Sequence, residues 1–389
     1  MNLYRFFALY QPVIMFAGTW LVAITLFSMR LSGLLEQDIN QGFIFLGMSL
    51  TFFLIGYTLT FFLRKRISLG IHSREYISDY ILKRFNSYFI FWILATIAEI
   101  LYSRGIPIVW LLTGSEKTYF DFGIPSLHGL LNALQLSLGV IAFYLYLITK
   151  KKKYIYITLL FVLYNVAIIS RQVIIVLLIE IFVIYFYLAT NKLKLFRTLI
   201  IYFVLAIVGF GILGDLRSDA KTFLVLAQPT ERWPDWLPSG FLWVYIYITT
   251  PINNLIYNFS FPVEQYRYFF PNTLSLLLPS VIRNMVFSPE DYNVSGNLIS
   301  LAFNVSSAFA APYADMGFTG IKLFSLFIGV FSNLTWWAEG SKRIFFRAVI
   351  SQAILLSIFY NHFMYLPVAF QFFWIYLFFV RIKYVKKSV

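Results

Sequence analysis

The chain has no cysteine and only three histidines among 389 residues. That excludes disulfide staples, thiolate nucleophiles and cysteine-ligated metal sites, and it leaves little for a zinc centre. Charge is scarce too. Only 12% of the residues are Asp, Glu, Lys or Arg, where about a quarter is usual, so the chain cannot cover a water-exposed surface and a soluble enzyme is excluded. A nucleic-acid-binding module is excluded as well, because the 31 Lys and Arg are scattered among apolar runs and form no basic face for phosphates to track. A nucleotide-binding glycine loop and an Asp-x-Asp pair are also missing, so neither metal nor cofactor is expected. What is abundant is apolar bulk: 60% hydrophobic residues, including 44 Phe and 27 Tyr. Aromatics in such number read first as lipid-facing bulk and interfacial belts, with stacking platforms for sugars as the alternative.

A helix needs about 20 apolar residues to cross the hydrocarbon core. Ten runs of that order predict an all-α polytopic membrane protein, with spans near 9–28, 42–63, 86–102, 127–149, 154–169, 172–190, 198–213, 319–338, 347–361 and 364–380. The start, Met1-Asn2-Leu3-Tyr4-Arg5, runs into apolar sequence without a small-x-small cleavage site, and is expected to be a retained first helix. The connections alternate in charge. One set runs from Arg64 to Arg84, Lys150 to Lys153, Lys192 to Arg197, Lys342 to Arg347 and through the tail from Arg381; with Arg5 it holds 21 basic residues against three acids, Glu75, Asp79 and Glu339. The other set, with the helix ends on its side, holds ten basic residues and 13 acids, which leaves Glu180 in mid-span. The positive-inside rule then makes the first set and both termini cytoplasmic. The net charge of +14 is thereby a record of orientation.

Residues 1–389 read as a single transmembrane domain whose elaborations lie on the outer side. The segment 214–318 is expected to be a large outer, periplasmic loop region with short or re-entrant helices. Trp233, Trp236 and Trp243 with Pro229, Pro234 and Pro238 suggest chain lying along the interface, and Phe241 to Tyr257 is amphipathic enough for a surface or re-entrant helix. A second outer loop, Ser103 to Ser126, is punctuated by Gly105, Pro107, Gly114, Gly123 and Pro125.

Two outer arginines stand where lipid-facing residues would not. Arg171 lies in Ser170-Arg171-Gln172, between two expected helices, and Arg217 lies in Gly214-Asp215-Leu216-Arg217-Ser218, just after the seventh. A guanidinium offers a planar fork of donors matched to phosphate oxygens, so the pair suits a lipid diphosphate; snorkelling or pairing with Asp215 is the alternative for each. His128 and His362 fall at outer helix ends, where a histidine serves either as a general base or as a satisfied structural group. His72 lies in the basic cytoplasmic loop. Asp315, in Tyr313-Ala314-Asp315-Met316-Gly317-Phe318-Thr319-Gly320, is a candidate base or a helix-dipole partner. Glu180 is a functional candidate because a mid-membrane acid is costly, unless it is paired or protonated. Arg267 and Arg283 are further candidates for acidic or sugar ligands.

Four of these places resemble the Wzy-type O-antigen polymerases, the oligosaccharide repeat-unit polymerases of bacterial surface polysaccharide assembly. Gly105-Ile106-Pro107 followed by Phe122-Gly123-Ile124-Pro125-Ser126-Leu127-His128 resembles their first outer loop. Ser170-Arg171 resembles a pair shared with O-antigen ligases, Gly214-x-x-Arg217 the opening of the large loop, and Tyr313 to Gly320 its close, with Met316 where members often have Phe. The resemblance implies a fold like the C-type lipid-linked glycosyltransferases and a metal-independent, inverting transfer between undecaprenyl-diphosphate-linked oligosaccharides at the periplasmic face of the inner membrane. It implies Arg171 and Arg217 on the donor diphosphate, His128 first and Asp315 second as base, and Arg267, Arg283 and Tyr313 as substrate-binding residues. Membrane lipids, a chain-length regulator and a flippase are the implied partners, with no nucleic acid. The O-antigen ligases and a lipid-linked oligosaccharide flippase or other transporter are the alternatives.

Overall fold

The computed structural model describes residues 9–62, 79–195, 197, 198, 200, 201, 204, 207, 208, 220–234, 236–263, 267–288 and 291–380. Among these, regular structure is helical throughout apart from one isolated bridge between Ser32 and Pro229. The helices used below are α1 (Gln11–Ser28), α2 (Ile39–Phe62), α3 (Asp79–Ser103), α4 (Pro107–Thr113), α5 (Leu127–Thr149), α6 (Lys152–Ala167), α7 (Arg171–Leu188), α8 (Ala220–Ala227), α9 (Ser239–Asn258), α10 (Ser280–Val286), α11 (Ala310–Trp336), α12 (Lys342–Leu355) and α13 (Leu366–Phe379). Six helical stretches are long and apolar enough to cross a membrane: α1, α2, Ile81–Thr113, α5, α7 and α11. By length and composition this is a helical membrane protein.

Ten crossings were expected. Helices α6, α12 and α13 have 16, 14 and 14 residues, and at about 1.5 Å per residue they fall short of a hydrocarbon core about 30 Å thick. Helix α12 is shielded by protein along nearly its whole length, so its mixed sequence does not have to face lipid. Most of the expected span 198–213 lies outside the described residues, as do Arg217 and His72.

The bundle has two apolar cores. One gathers α1, α2, α9 and α11 around Phe16, Trp20, Phe53 and Phe309; the other gathers α3, α5, α6, α7 and α13 around Phe85, Phe161 and Leu177. Helix α12 supplies residues to both. Within the first core, α2 and α11 cross with their backbones almost in contact, because a Cβ on Gly56 would strike the carbonyl of Leu326 and one on Gly329 the carbonyl of Phe53. Small residues at such a crossing let membrane helices pack where no water is expelled to drive them together.

Two expectations about the segment 214–318 are narrowed. Of the surface and re-entrant alternatives for Phe241 to Tyr257, the surface one fails: in helix α9 Tyr245, Ile246, Thr249, Ile252 and Leu255 are buried, and the helix packs on α1. Pro251 stands inside it without ending it. Helix α11 starts at Ala310, nine residues before the expected span, and breaks at Met316 and Gly317. Gly317 has φ +58° and ψ −145°, a conformation that side chains resist. Gly320 admits the Pro312 carbonyl where a Cβ would sit. The motif glycines thus fold a short helical piece carrying Tyr313 and Asp315 back onto the long one.

Candidate functional site

The loop from Ser103 to Ser126 is wrapped around one buried carboxylate. Glu99 and Ser103 lie one turn apart on α3, on one face of the helix. The backbone N–H of Ile124 donates to Glu99 Oε1 at 3.3 Å, and that of Gly123 donates to Ser103 Oγ at 2.8 Å. His128, in the first turn of α5, sets its Nδ1 3.2 Å from Oε1 and 3.1 Å from Oε2 of Glu99. Glu99 is fully buried, whereas the imidazole keeps 27% of its surface. The ring also meets Phe122 edge-on, with centroids 5.5 Å apart. Gly123 lies flat against it: a Cβ there would sit 2.6 Å from His128 Cγ, and φ is +96°. Sequence reading picked out the histidine and the loop but missed Glu99, whose only local signal is an acid near the outer end of an apolar span.

This loop is tied to the segment 214–318. Ser126 Oγ accepts from the Val281 N–H at 3.0 Å and lies 3.3 Å from Ser280 Oγ, which docks the start of α10 beside the start of α5. Helix α10 carries Arg283, whose guanidinium rests over Tyr292 at 5.2 Å and whose Nε has no hydrogen-bond partner among the described residues. Its charge also acts on Tyr360, in the turn between α12 and α13.

Arg171 opens α7 and is exposed. Its neighbour Gln172 reaches His362 Nε2 at 3.4 Å, while Gln352 holds Nδ1 at 2.7 Å. His362 is completely buried, and burial pushes its imidazole down to about 3; clamped neutral between two amides, it is a structural group. Glu180 likewise has a partner, the Gln371 amide at 2.9 Å.

Asp315, Tyr313 and Arg267 gather at a second place. Both oxygens of Asp315 are engaged. Oδ1 accepts from the backbone and side-chain nitrogens of Asn272 at 3.1 and 2.8 Å, and Oδ2 from the backbone N–H and hydroxyl of Thr273 at 2.8 and 2.7 Å. A fully buried carboxylate that accepts four hydrogen bonds holds the chain at Asn272 and Thr273 in place. Its backbone carbonyl takes the Arg267 N–H at 2.9 Å. Arg267, Tyr313, Asn258, Asn272, Asp291 and Asn293 line an open cavity of about 580 Å³. The Asp291 carboxyl is held below the usual carboxylate range, first by the hydroxyl and N–H of Ser288 and in smaller part by Arg267. Tyr313 forms wall: its hydroxyl donates to the Phe259 and Phe261 carbonyls, both at 3.3 Å, and its ring packs on Phe259 and Phe318.

The tryptophans of the segment 214–318 divide. Trp243 stacks on Phe223 with centroids 3.5 Å apart and Trp233 leans on Tyr245, while Trp236 is 81% exposed and open for a ring to stack on. These places together offer a partly exposed histidine backed by a carboxylate, a basic group on each of α7 and α10, and a polar cavity walled by amides. Neutral amides, with Arg267 and Asp291 of opposite charge on the same lining, can meet the hydroxyls of a sugar without demanding a charged ligand. Comparison of this chain with protein families, with curated proteins and with solved structures finds no match.

Proposed function

We propose that the chain is an O-antigen polymerase, a glycosyltransferase that joins undecaprenyl-diphosphate-linked oligosaccharide repeat units at the periplasmic face of a bacterial inner membrane. The observation that carries this reading is where the resembling motifs fall: the first-loop motif encloses Glu99 and His128, and the closing motif from Tyr313 to Gly320 builds one wall of the amide-lined cavity. On this reading ten segments cross the membrane, the short helices α6, α12 and α13 among them by local thinning of the bilayer; both termini are cytoplasmic, and the fold is of the C-type lipid-linked glycosyltransferase kind. Arg171 and Arg217 hold the donor diphosphate, where each donor fork stabilises the charge that builds on the leaving group. His128 faces the acceptor hydroxyl, and the cavity beside Arg267 takes sugar. The partners are the lipid-linked oligosaccharides and membrane lipids, with a chain-length regulator and a flippase acting alongside.

Deleting the gene and separating the cell's lipopolysaccharide on a gel tests this. Loss of polymerase leaves lipid A-core capped by a single repeat unit. Loss of a ligase removes all O-antigen from core, and loss of a flippase abolishes capping while intermediates accumulate inside. A surviving ladder of long chains would overturn the proposal.

A further inference from the structure

We infer that Glu99 is the positioning residue of a carboxylate–histidine dyad, fixing His128 as the acceptor of the proton that the attacking sugar hydroxyl loses; the inference rests on the transferase reading above. Three features of the loop point this way. Nδ1 of His128 faces both oxygens of Glu99, and a carboxylate in that place selects the tautomer with its hydrogen on Nδ1, which leaves the Nε2 lone pair free. Among the described residues Nε2 has no hydrogen-bond partner, and the ring is partly exposed while Glu99 is not. The orientation of the ring is fixed from the other sides by Phe122 and by the backbone of Gly123, where no side chain fits. A histidine needed only for packing would not require a buried acid behind it and an open nitrogen in front.

In the transfer, the acceptor oxygen bonds to the anomeric carbon as the bond from that carbon to the phosphate oxygen breaks. Undecaprenyl diphosphate leaves with the electron pair, and the hydroxyl proton passes to Nε2. Glu99 stabilises the imidazolium so formed, and the proton then escapes to solvent, which restores the dyad.

Glu99→Gln tests this, since the amide oxygen can still accept from Ile124 and from Nδ1–H but carries no charge. The variant is expected to slow carboethoxylation of His128 by diethyl pyrocarbonate severalfold, followed on its peptide by mass spectrometry with buried His362 as the unreactive control. With purified protein and lipid-linked repeat units, kcat should fall about 10²-fold, the order typical of general-base assistance, at unchanged KM. In a His128→Ala background the same change should cost nothing more. Unaltered modification kinetics would overturn the dyad whatever the enzyme's substrate, and so would equal losses with and without His128, which would mark Glu99 as a fold residue. A wild-type protein that modifies normally but polymerises nothing would overturn the transferase reading instead.

Discussion

Asn272 donates twice to one oxygen of Asp315, from its backbone at 3.1 Å and its side-chain amide at 2.8 Å. Its side-chain oxygen Oδ1 accepts from the Asn293 backbone N–H at 2.7 Å. One carboxylate thereby organises two loops of the cavity wall. Asp315→Asn puts a donor where two donors already point, and a mispaired buried polar group costs about 1–3 kcal/mol. Thermal unfolding in detergent is expected to show that loss, with faster proteolysis between residues 260 and 300. A variant of native stability that lacks only turnover would return Asp315 to the role of base.

The helical membrane architecture was legible in the apolar runs because lipid imposes length and composition directly. Helix ends were less so: α11 begins early because the stretch from Ala310 to Asp315 is buried by protein contacts that hydropathy does not register. The motif positions Gly123, Asp315, Gly317 and Gly320 were visible, and each turned out to have a steric or hydrogen-bonding task. Their partners were not. Glu99 is 29 residues from His128 and Asn272 is 43 from Asp315, and no local spacing connects either pair. Arg347 illustrates the opposite failure. It read as one more orientation charge, yet it is buried among Tyr187, Trp336 and Trp337 with its guanidinium 5.0–5.3 Å from the three rings.

The crossing of α2 and α11 gives a sharper steric test. Alanine at Gly56 or Gly329 must push two backbones apart, and overpacking of this kind costs about 1–3 kcal/mol or more. Gly47, also in α2, has open space beside it, so Gly47→Ala is expected to be neutral or to gain up to about 1 kcal/mol from helix propensity. Thermal stability of the purified variants separates the two classes. Equal behaviour of Gly47→Ala and Gly329→Ala would mean that the close crossing does not exist.

His362 sets an acid limit on stability. Burial lowers its imidazole from 6.5 to about 3, so below 6.5 the unfolded chain takes up a proton that the folded chain refuses. Its contribution is therefore intact above about pH 6.5 and declines toward pH 3, by up to about 1.4 kcal/mol per pH unit. The rings packed against it belong to Tyr360 and Tyr365, which do not titrate in that window. His362→Gln is expected to be less stable at neutral pH but to flatten the decline between pH 6 and 4. An equally steep decline in that variant would assign the acid sensitivity to other groups.

Arg171 and Arg217 carry the weight of the diphosphate assignment. Arg171 begins α7 with its side chain exposed, and the residue after it is anchored to His362, so the guanidinium stands on a fixed helix end and is free to engage a ligand. Arg217 lies outside the described residues and rests on the sequence alone. If each supplies a donor to the leaving diphosphate, its removal costs about 3 kcal/mol of transition-state stabilisation, a rate loss of about two orders of magnitude. Arg171→Ala and Arg217→Ala are each expected to abolish long chains on the gel while the protein remains in the membrane fraction by immunoblot. Arg171→Lys distinguishes charge from geometry: a lysine keeps the charge but loses the planar fork, so it should restore short ladders only. A full-length ladder from a well-inserted Arg171→Ala protein removes that arginine from the mechanism and leaves the diphosphate to Arg217, with Arg283 on α10 as the next candidate.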